Sequence, residues 1–335
     1  MTRVYIAATA LGLSLVACSE GESGGSSAAS GGGGASTSSS MANTGSGGAS
    51  MSVADTSSSV TTSVSSSSGG MPTACEQWKS ARANLAEGAW SGALASCSAG
   101  DVAAEGRVRA LALVNLYRAL AGLPPVLLDA ARNNGAQACS LMMDANKQLS
   151  HFPPNSWKCF SDLGAATAGE SNIATTAGVQ AVDLYMTDPG NPTTIGHRRW
   201  ILSNSLGPIG LGSTNAYSCM SVLGGNGNAG QAYAAWPPAG EVPFEAWNVT
   251  FESLDSTGWT IQSDGINLAG GKVSVADGGK DMPVGTVELL PNYGSATALR
   301  FNPKGWTAAP GHTYDVSVTG ASKAVNYSVT VVDCP

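Results

Sequence analysis

The sequence predicts an α+β protein, and two patterns predict it. From about 76 to 205 apolar residues recur at helical spacing, and from 241 onward about seven short stretches alternate as strands do. Composition allows both parts to fold. Of 335 residues 43% are apolar, enough for a packed core, although 43 are Gly and only 12% are charged. The net charge of −7 excludes a protein built to neutralise phosphates, so no nucleic-acid partner is expected.

The first 72 residues lie outside that predicted fold. Arg3 precedes an apolar run from Val4 to Ala17, the length of a secretory h-region and too short to span a membrane. The run ends Leu15-Val16-Ala17-Cys18, which resembles a bacterial lipobox. That resemblance implies a signal peptide over 1–18, lipidation of Cys18 and membrane attachment through it alone. The expected location is the bacterial cell envelope, at the outer membrane or cell surface. Residues 19–72 contain 20 Ser and 12 Gly. Such a segment buries too little apolar area to offset its ordering entropy. It is expected to be a tether with a span of roughly 40 Å.

The helical part follows. Residues 105–121 place Val108, Leu111, Ala112, Asn115, Tyr117 and Leu120 near helical spacing, and Pro124-Pro125 stops the helix. Asp129 is positioned to cap a second helix whose face includes Cys139, Met142 and Met143. A third helix, about 177–187, puts Val179, Val182, Asp183 and Met186 on one stripe. Asp188-Pro189-Gly190-Asn191-Pro192 breaks it, and a short turn of helix runs from Ile195 to Ser203. Between 206 and 240 the pattern becomes strand-like, at 208–211 and 217–223. The expected C-terminal strands are 247–252, 258–262, 271–276, 284–290, 297–302, 313–319 and 325–332. Seven short strands in so short a stretch predict an immunoglobulin-like β-sandwich over 241–335.

Six cysteines remain after Cys18, an even number downstream of an export signal, and they predict three disulfides. Favouring local closure pairs Cys75 with Cys97, Cys139 with Cys159, and Cys219 with Cys334. There is no C-x-x-C spacing for a zinc ribbon or redox dithiol.

The chemistry-bearing residues are few. His151 sits in Ser150-His151-Phe152-Pro153, and His197 in Gly196-His197-Arg198-Arg199. Glu170 is the single glutamate between Gly106 and Gly240. Two imidazoles and a carboxylate can bind a divalent metal such as zinc, or act as general acid and base. Their spacing is no metal motif, and taken alone it fits two loop histidines and a glutamate near a helix equally well.

Order and context add a resemblance. Asn115-Leu116-Tyr117-Arg118, Gly122, Val126 and Asp129 open a series that continues with Cys139, His151 and Gly169-Glu170-Ser171-Asn172. Gly196-His197-Arg198 and Ile209-Gly210-Leu211-Gly212 complete it. This series resembles the CAP superfamily (the SCP domain of cysteine-rich secretory proteins, antigen 5 and pathogenesis-related proteins). The resemblance implies an α-β-α sandwich over about 73–240, here with an N-terminal helical extension. It also implies a cleft of two His and two acidic residues. His151, Glu170 and His197 match three of these. The second glutamate has no counterpart, so Asp183 is the first substitute and Asp188 the second. Arg198 and Arg199 are expected to salt-bridge Asp183 or Asp188.

Two functions follow from this reading. The favoured one is a non-catalytic binding or interaction module at the cell surface, with a lipid or protein as ligand, as the resemblance allows. The alternative is a metal-assisted or acid–base hydrolase using His151, Glu170, His197 and Asp183. His312 is expected to be a solvated turn residue, and Trp236, Trp247, Trp259 and Trp306 to be packing residues.

Overall fold

The computed structural model describes residues 72–249 and 252–335. Cys18 and nearly all of the expected tether lie outside them. Residues 72–335 pack as one compact unit.

The N-terminal part is three-layered. Helix α2 (Ala104–Leu120) lies close to its expected range, and α3 (Ala130–Asn146) starts at the expected cap, where the Asp129 carboxylate accepts from the Arg132 N–H. Helix α4 (Asp162–Ala168) and strand β1 (Ser171–Ala174) follow. Next come α5 (Gly178–Thr187), α6 (Gly196–Ile201), β2 (Gly210–Ser213) and β3 (Ser218–Ser221). The three strands form an antiparallel sheet in the order β1-β3-β2. Alternation along the strands separates two apolar layers. Ile173 and Cys219 pack with Cys139, Met142 and Met143 of α3. Ala174, Leu211 and Met220 pack with α2 and α5 in the larger core. Gly212 makes this layering possible, because a Cβ there would lie 2.1 Å from the Gln137 nitrogen on α3.

The C-terminal part holds two sheets. One runs β4 (Ala234–Trp236), β6 (Trp259–Ser263), β10 (Thr297–Pro303), β9 (Val284–Glu288). The other runs β5 (Gly240–Pro243), β12 (Val325–Val332), β11 (Thr313–Thr319), β7 (Lys272–Asp277), β8 (Lys280–Met282). From residue 240 onward eight strands, β5 to β12, stand where seven were expected. Trp247, the first residue of the strand expected at 247–252, ends a 3-10 turn, Phe244–Trp247, residues 250 and 251 lie outside the described residues, and α7 spans Leu254–Thr257. There Trp247 and Trp259 both donate their indole N–H to Asp255, at 3.1 and 2.9 Å. Trp236, Trp247 and Trp259 are buried as packing residues.

The core does not stop at residue 240. Tyr117 of α2 packs edge-on against Trp236 of β4 at 5.2 Å. Every residue of β6 is buried, because its two faces meet different layers. Trp259 and Ile261 face the inter-sheet core, whereas Gln262 donates to the carbonyls of Arg199 and Leu202.

The disulfides are Cys75–Cys334, Cys97–Cys159 and Cys139–Cys219, which corrects all three expected pairings. Local closure was the wrong criterion. Helix α1 (Ala74–Ala81) lies against β5, which brings Cys75 to the chain end, and α3 lies on β3, which brings Cys139 to Cys219.

Candidate functional site

Helix α5 ends where Asp188 adopts a left-handed backbone (φ 52°, ψ 49°), and Pro189 and Pro192 prevent its continuation. The chain turns back through Asn191, whose carbonyl accepts the N–H groups of Thr194 and Ile195. Ile195 precedes α6 and is also left-handed, at φ 44° and ψ 44°. For a β-branched residue this is a strained conformation, and strain of this kind concentrates at functional sites. Ile195 is buried with Leu289 and Ala298, so packing holds it there.

This turn presents His197. Asp188 is buried and accepts from the His197 backbone N–H (3.0 Å) and from its Nδ1 (2.8 Å). Asn191 Nδ2 donates to the same carboxylate at 2.7 Å. A carboxylate accepts only, so Nδ1 faces it as the donor and Nε2 is the ring nitrogen turned away from Asp188. The ring is 23% exposed. It lies 5.2 Å from the Tyr185 ring, whose hydroxyl donates to the Asn172 carbonyl of β1. Asn172 in turn donates its side-chain amide to the His197 carbonyl.

His151 is held at the end of α4. Its Nδ1 is 2.9 Å from the carbonyl of Ala168 in the last turn of α4. Helix-end carbonyls lack intrahelical partners, so this one is available to the imidazole. Glu170 lies between the two anchor points, two residues after Ala168 and two before Asn172. Its carbonyl accepts from Val222 and Leu223, and its side chain is exposed. Phe152, next to His151, is 87% exposed.

His151 is thus tied to Ala168 and His197 to Asn172, the residues that flank Glu170 two positions away on either side. The structure does not assemble His151, Glu170 and His197 as metal ligands. Among the described residues no group of three or more His, Cys, Asp and Glu is placed to hold a metal ion. The expected zinc-type site therefore does not fit these residues.

Asp183 is not part of this site. Its carboxylate is clamped by both terminal nitrogens of Arg82, at 2.8 Å each, and by the Tyr117 hydroxyl at 2.6 Å. It points to α1 and α2, whereas Tyr185, two residues on, points to β1. Two helical positions are about 200° apart, so both cannot face the cleft. Asp188, the second substitute, is the carboxylate that contacts His197.

The expected salt bridges from Arg198 and Arg199 to Asp183 or Asp188 are absent too. Arg198 donates to the carbonyls of Met186, Thr187 and Gly258 and to the hydroxyls of Thr257 and Thr260. Arg199 donates to the carbonyls of Thr194, Leu290 and Ser295. Both side chains cross to the C-terminal sheets, and burial lowers both pKa values to about 10. His312 lies in its expected turn and pairs with Asp277 at 2.7 Å.

The sequence reading missed Asn191, Tyr185 and Asn172 as parts of the site. Asn191 and Tyr185 carry no signal at those spacings, Asn172 stood only as part of the Gly169–Asn172 motif, and the packing of α5, α6 and β1 brings them together.

Residues 111–223 match the family model described as the cysteine-rich secretory protein family, CAP. This segment is a CAP domain. The match begins within α2 and ends just after β3, so it covers the three-layered part and all of the site. Searches of curated proteins and of solved structures gave no match. The match of this segment supports an extracellular binding role, and the three disulfides fit an oxidising compartment.

Proposed function

We propose that this protein is a binding module of the bacterial cell envelope, lipid-anchored at Cys18 at the outer membrane or cell surface. Its CAP site presents His151, Glu170, His197 and Phe152 to a lipid or protein ligand without turnover. The C-terminal sheets, read as an immunoglobulin-like unit, support that site through Arg198 and Arg199. The observation that carries this reading is the bracketing of the His197 turn by two left-handed residues, Asp188 and Ile195, which hold one imidazole rigidly at the surface. Such preorganisation favours binding by reducing the entropy lost on association.

The Asp188–His197 pair supports a second reading. A buried carboxylate that fixes the Nδ1–H tautomer leaves Nε2 as a general base, as in hydrolytic relays. No Ser, Thr or Cys is hydrogen-bonded to the His197 ring among the described contacts, so the binding reading is preferred.

The test compares the full chain in detergent with a His151→Ala, His197→Ala variant. Palmitate and phosphatidylglycerol vesicles serve as lipid probes and a cell-surface peptide library as protein probe. Chromogenic ester and amide substrates report turnover. The expected result is a thermal shift with one probe class, lost in the variant, and no turnover above the variant's. Turnover that disappears in the variant would overturn the binding reading.

A further inference from the structure

The three disulfides sit in different environments. Cys139 and Cys219 are 0% and 1% exposed within the core beneath α3. Cys334 is buried and Cys75 half-buried, where α1 meets the chain end. Cys97 is exposed on the loop between the bridged residues Trp90 and Val102. Its partner Cys159 is half-buried in the segment joining α3 to α4. Cys97 and Cys159 also have left-handed backbones, with φ of 53° and 58°, and no other cysteine among the described residues does. Non-glycine residues adopt that region at a steric cost. Exposure and strain are the two features that make a disulfide labile.

The bond also joins two segments of different kind. The Cys97 loop has its own attachments, since Trp90 Nε1 and Gln137 Nε2 both donate to the Ala99 carbonyl. The Cys159 segment begins after α3 and carries His151 and Phe152. Near Cys159 it is also fastened by the paired Asn146–Lys158 contact, in which the Asn146 amide donates to the Lys158 carbonyl and accepts from its N–H, and by Trp157 and Phe160, which pack against the core beneath α3.

We infer that Cys97–Cys159 is a thiol-exchange site, the disulfide that a dithiol opens in the folded protein, releasing the segment that carries His151 and Phe152. One thiolate of the dithiol attacks Cys97 Sγ. The Cys97–Cys159 bond breaks, a mixed disulfide forms on Cys97, and Cys159 leaves as a thiolate and takes up a proton. The second thiol of the dithiol then attacks the mixed disulfide. Cys97 is released as a thiol and the reagent leaves as its cyclic disulfide, having supplied both electrons. The effect on ligand binding rests on the proposed function above, whereas the order of reduction does not.

The experiment exposes the full chain to graded dithiothreitol under native conditions, alkylates it at intervals, and maps each cysteine by mass spectrometry. Cys97 and Cys159 are expected to label at least tenfold faster than the other four, with the circular dichroism spectrum unchanged. Equal rates for all three pairs, or earlier opening of Cys75–Cys334, would overturn the assignment. Amide exchange of the partly reduced chain reads the second half of the inference. Residues 148–158 should exchange at least threefold faster after reduction, as they should in a Cys97→Ala, Cys159→Ala variant. Unchanged exchange in the partly reduced chain would show that the bond does not restrain the His151 segment.

Discussion

The carboxylate of Asp188 takes two hydrogen bonds from His197, one from its backbone and one from its ring. One buried acid thus fixes both the start of α6 and the orientation of the imidazole. Asn tolerates a left-handed backbone, so Asp188→Asn isolates the role of the charge. Its amide has one acceptor oxygen where the carboxylate uses two. The variant is expected to lose about 1.5–3 kcal/mol of stability, a typical loss for a hydrogen bond to a charged group. The neutral His197 ring should move from the Nδ1–H tautomer toward Nε2–H. Nitrogen-15 spectra of the imidazole read this directly, and an identical tautomer in both proteins would refute the assigned role.

Asp183 is expected to behave differently although it is only five residues away. Asp183→Ala leaves the Arg82 guanidinium and the Tyr117 hydroxyl without their shared partner. Removing one side of a buried ion pair costs about 3 kcal/mol, and the partial exposure of Arg82 keeps the loss near that lower value. Urea unfolding should show the drop while the His197 ring signals stay in place. Movement of those signals would return Asp183 to the site.

Arg198 tests whether the CAP layers depend on the C-terminal sheets. Arg198→Met strands the buried carbonyls of Met186, Thr187 and Gly258. At about 1–3 kcal/mol for each unsatisfied group, and with partial relaxation, the net loss is expected near 4 kcal/mol. That corresponds to a fall in Tm of about 10 °C for a unit of this size. Arg198→Lys keeps the charge but cannot reach five acceptors with one ammonium, so it should fall between wild type and Arg198→Met. Equal Tm values for all three would mean that α6 is not held through this side chain.

Elements with strong local pattern were legible in the sequence. Strands β11 and β12 fall on the expected 313–319 and 325–332 because each alternates inward apolar residues with outward polar ones. The Asp129 cap was legible for a similarly local reason. What depended on distant partners was not. Asp183 looked like a site residue because a carboxylate on an apolar stripe needs a function, but its partner Arg82 lies 101 residues away. Asp188 looked like helix punctuation, yet the same turn that ends α5 delivers it to His197. The disulfides close separations of 259, 62 and 80 residues, and no spacing rule selects them. Trp247, expected to open a strand, instead ends a 3-10 turn and shares Asp255 with Trp259, a residue twelve positions on.

Three buried tyrosines set a limit on alkaline stability. Burial pushes the hydroxyls of Tyr117, Tyr185 and Tyr327 well above their ordinary pKa, and the neighbouring Asp183 charge adds to the shift at Tyr117. In the unfolded chain each ionises near pH 10. Above that pH the unfolded state has lost protons that the folded state retains, so stability must fall as pH rises. Their contribution is complete below about pH 10, and each tyrosine then subtracts about 1.4 kcal/mol per pH unit. Urea unfolding at pH 9 and pH 11 should therefore differ by about 4 kcal/mol from these three alone. Tyr185→Phe should reduce the difference by about a third, since it removes one of three equal slopes. Absorbance at 295 nm should show these tyrosines ionising only with unfolding. Free titration of all tyrosines near pH 10 in a chain that stays folded would contradict the burial of these rings.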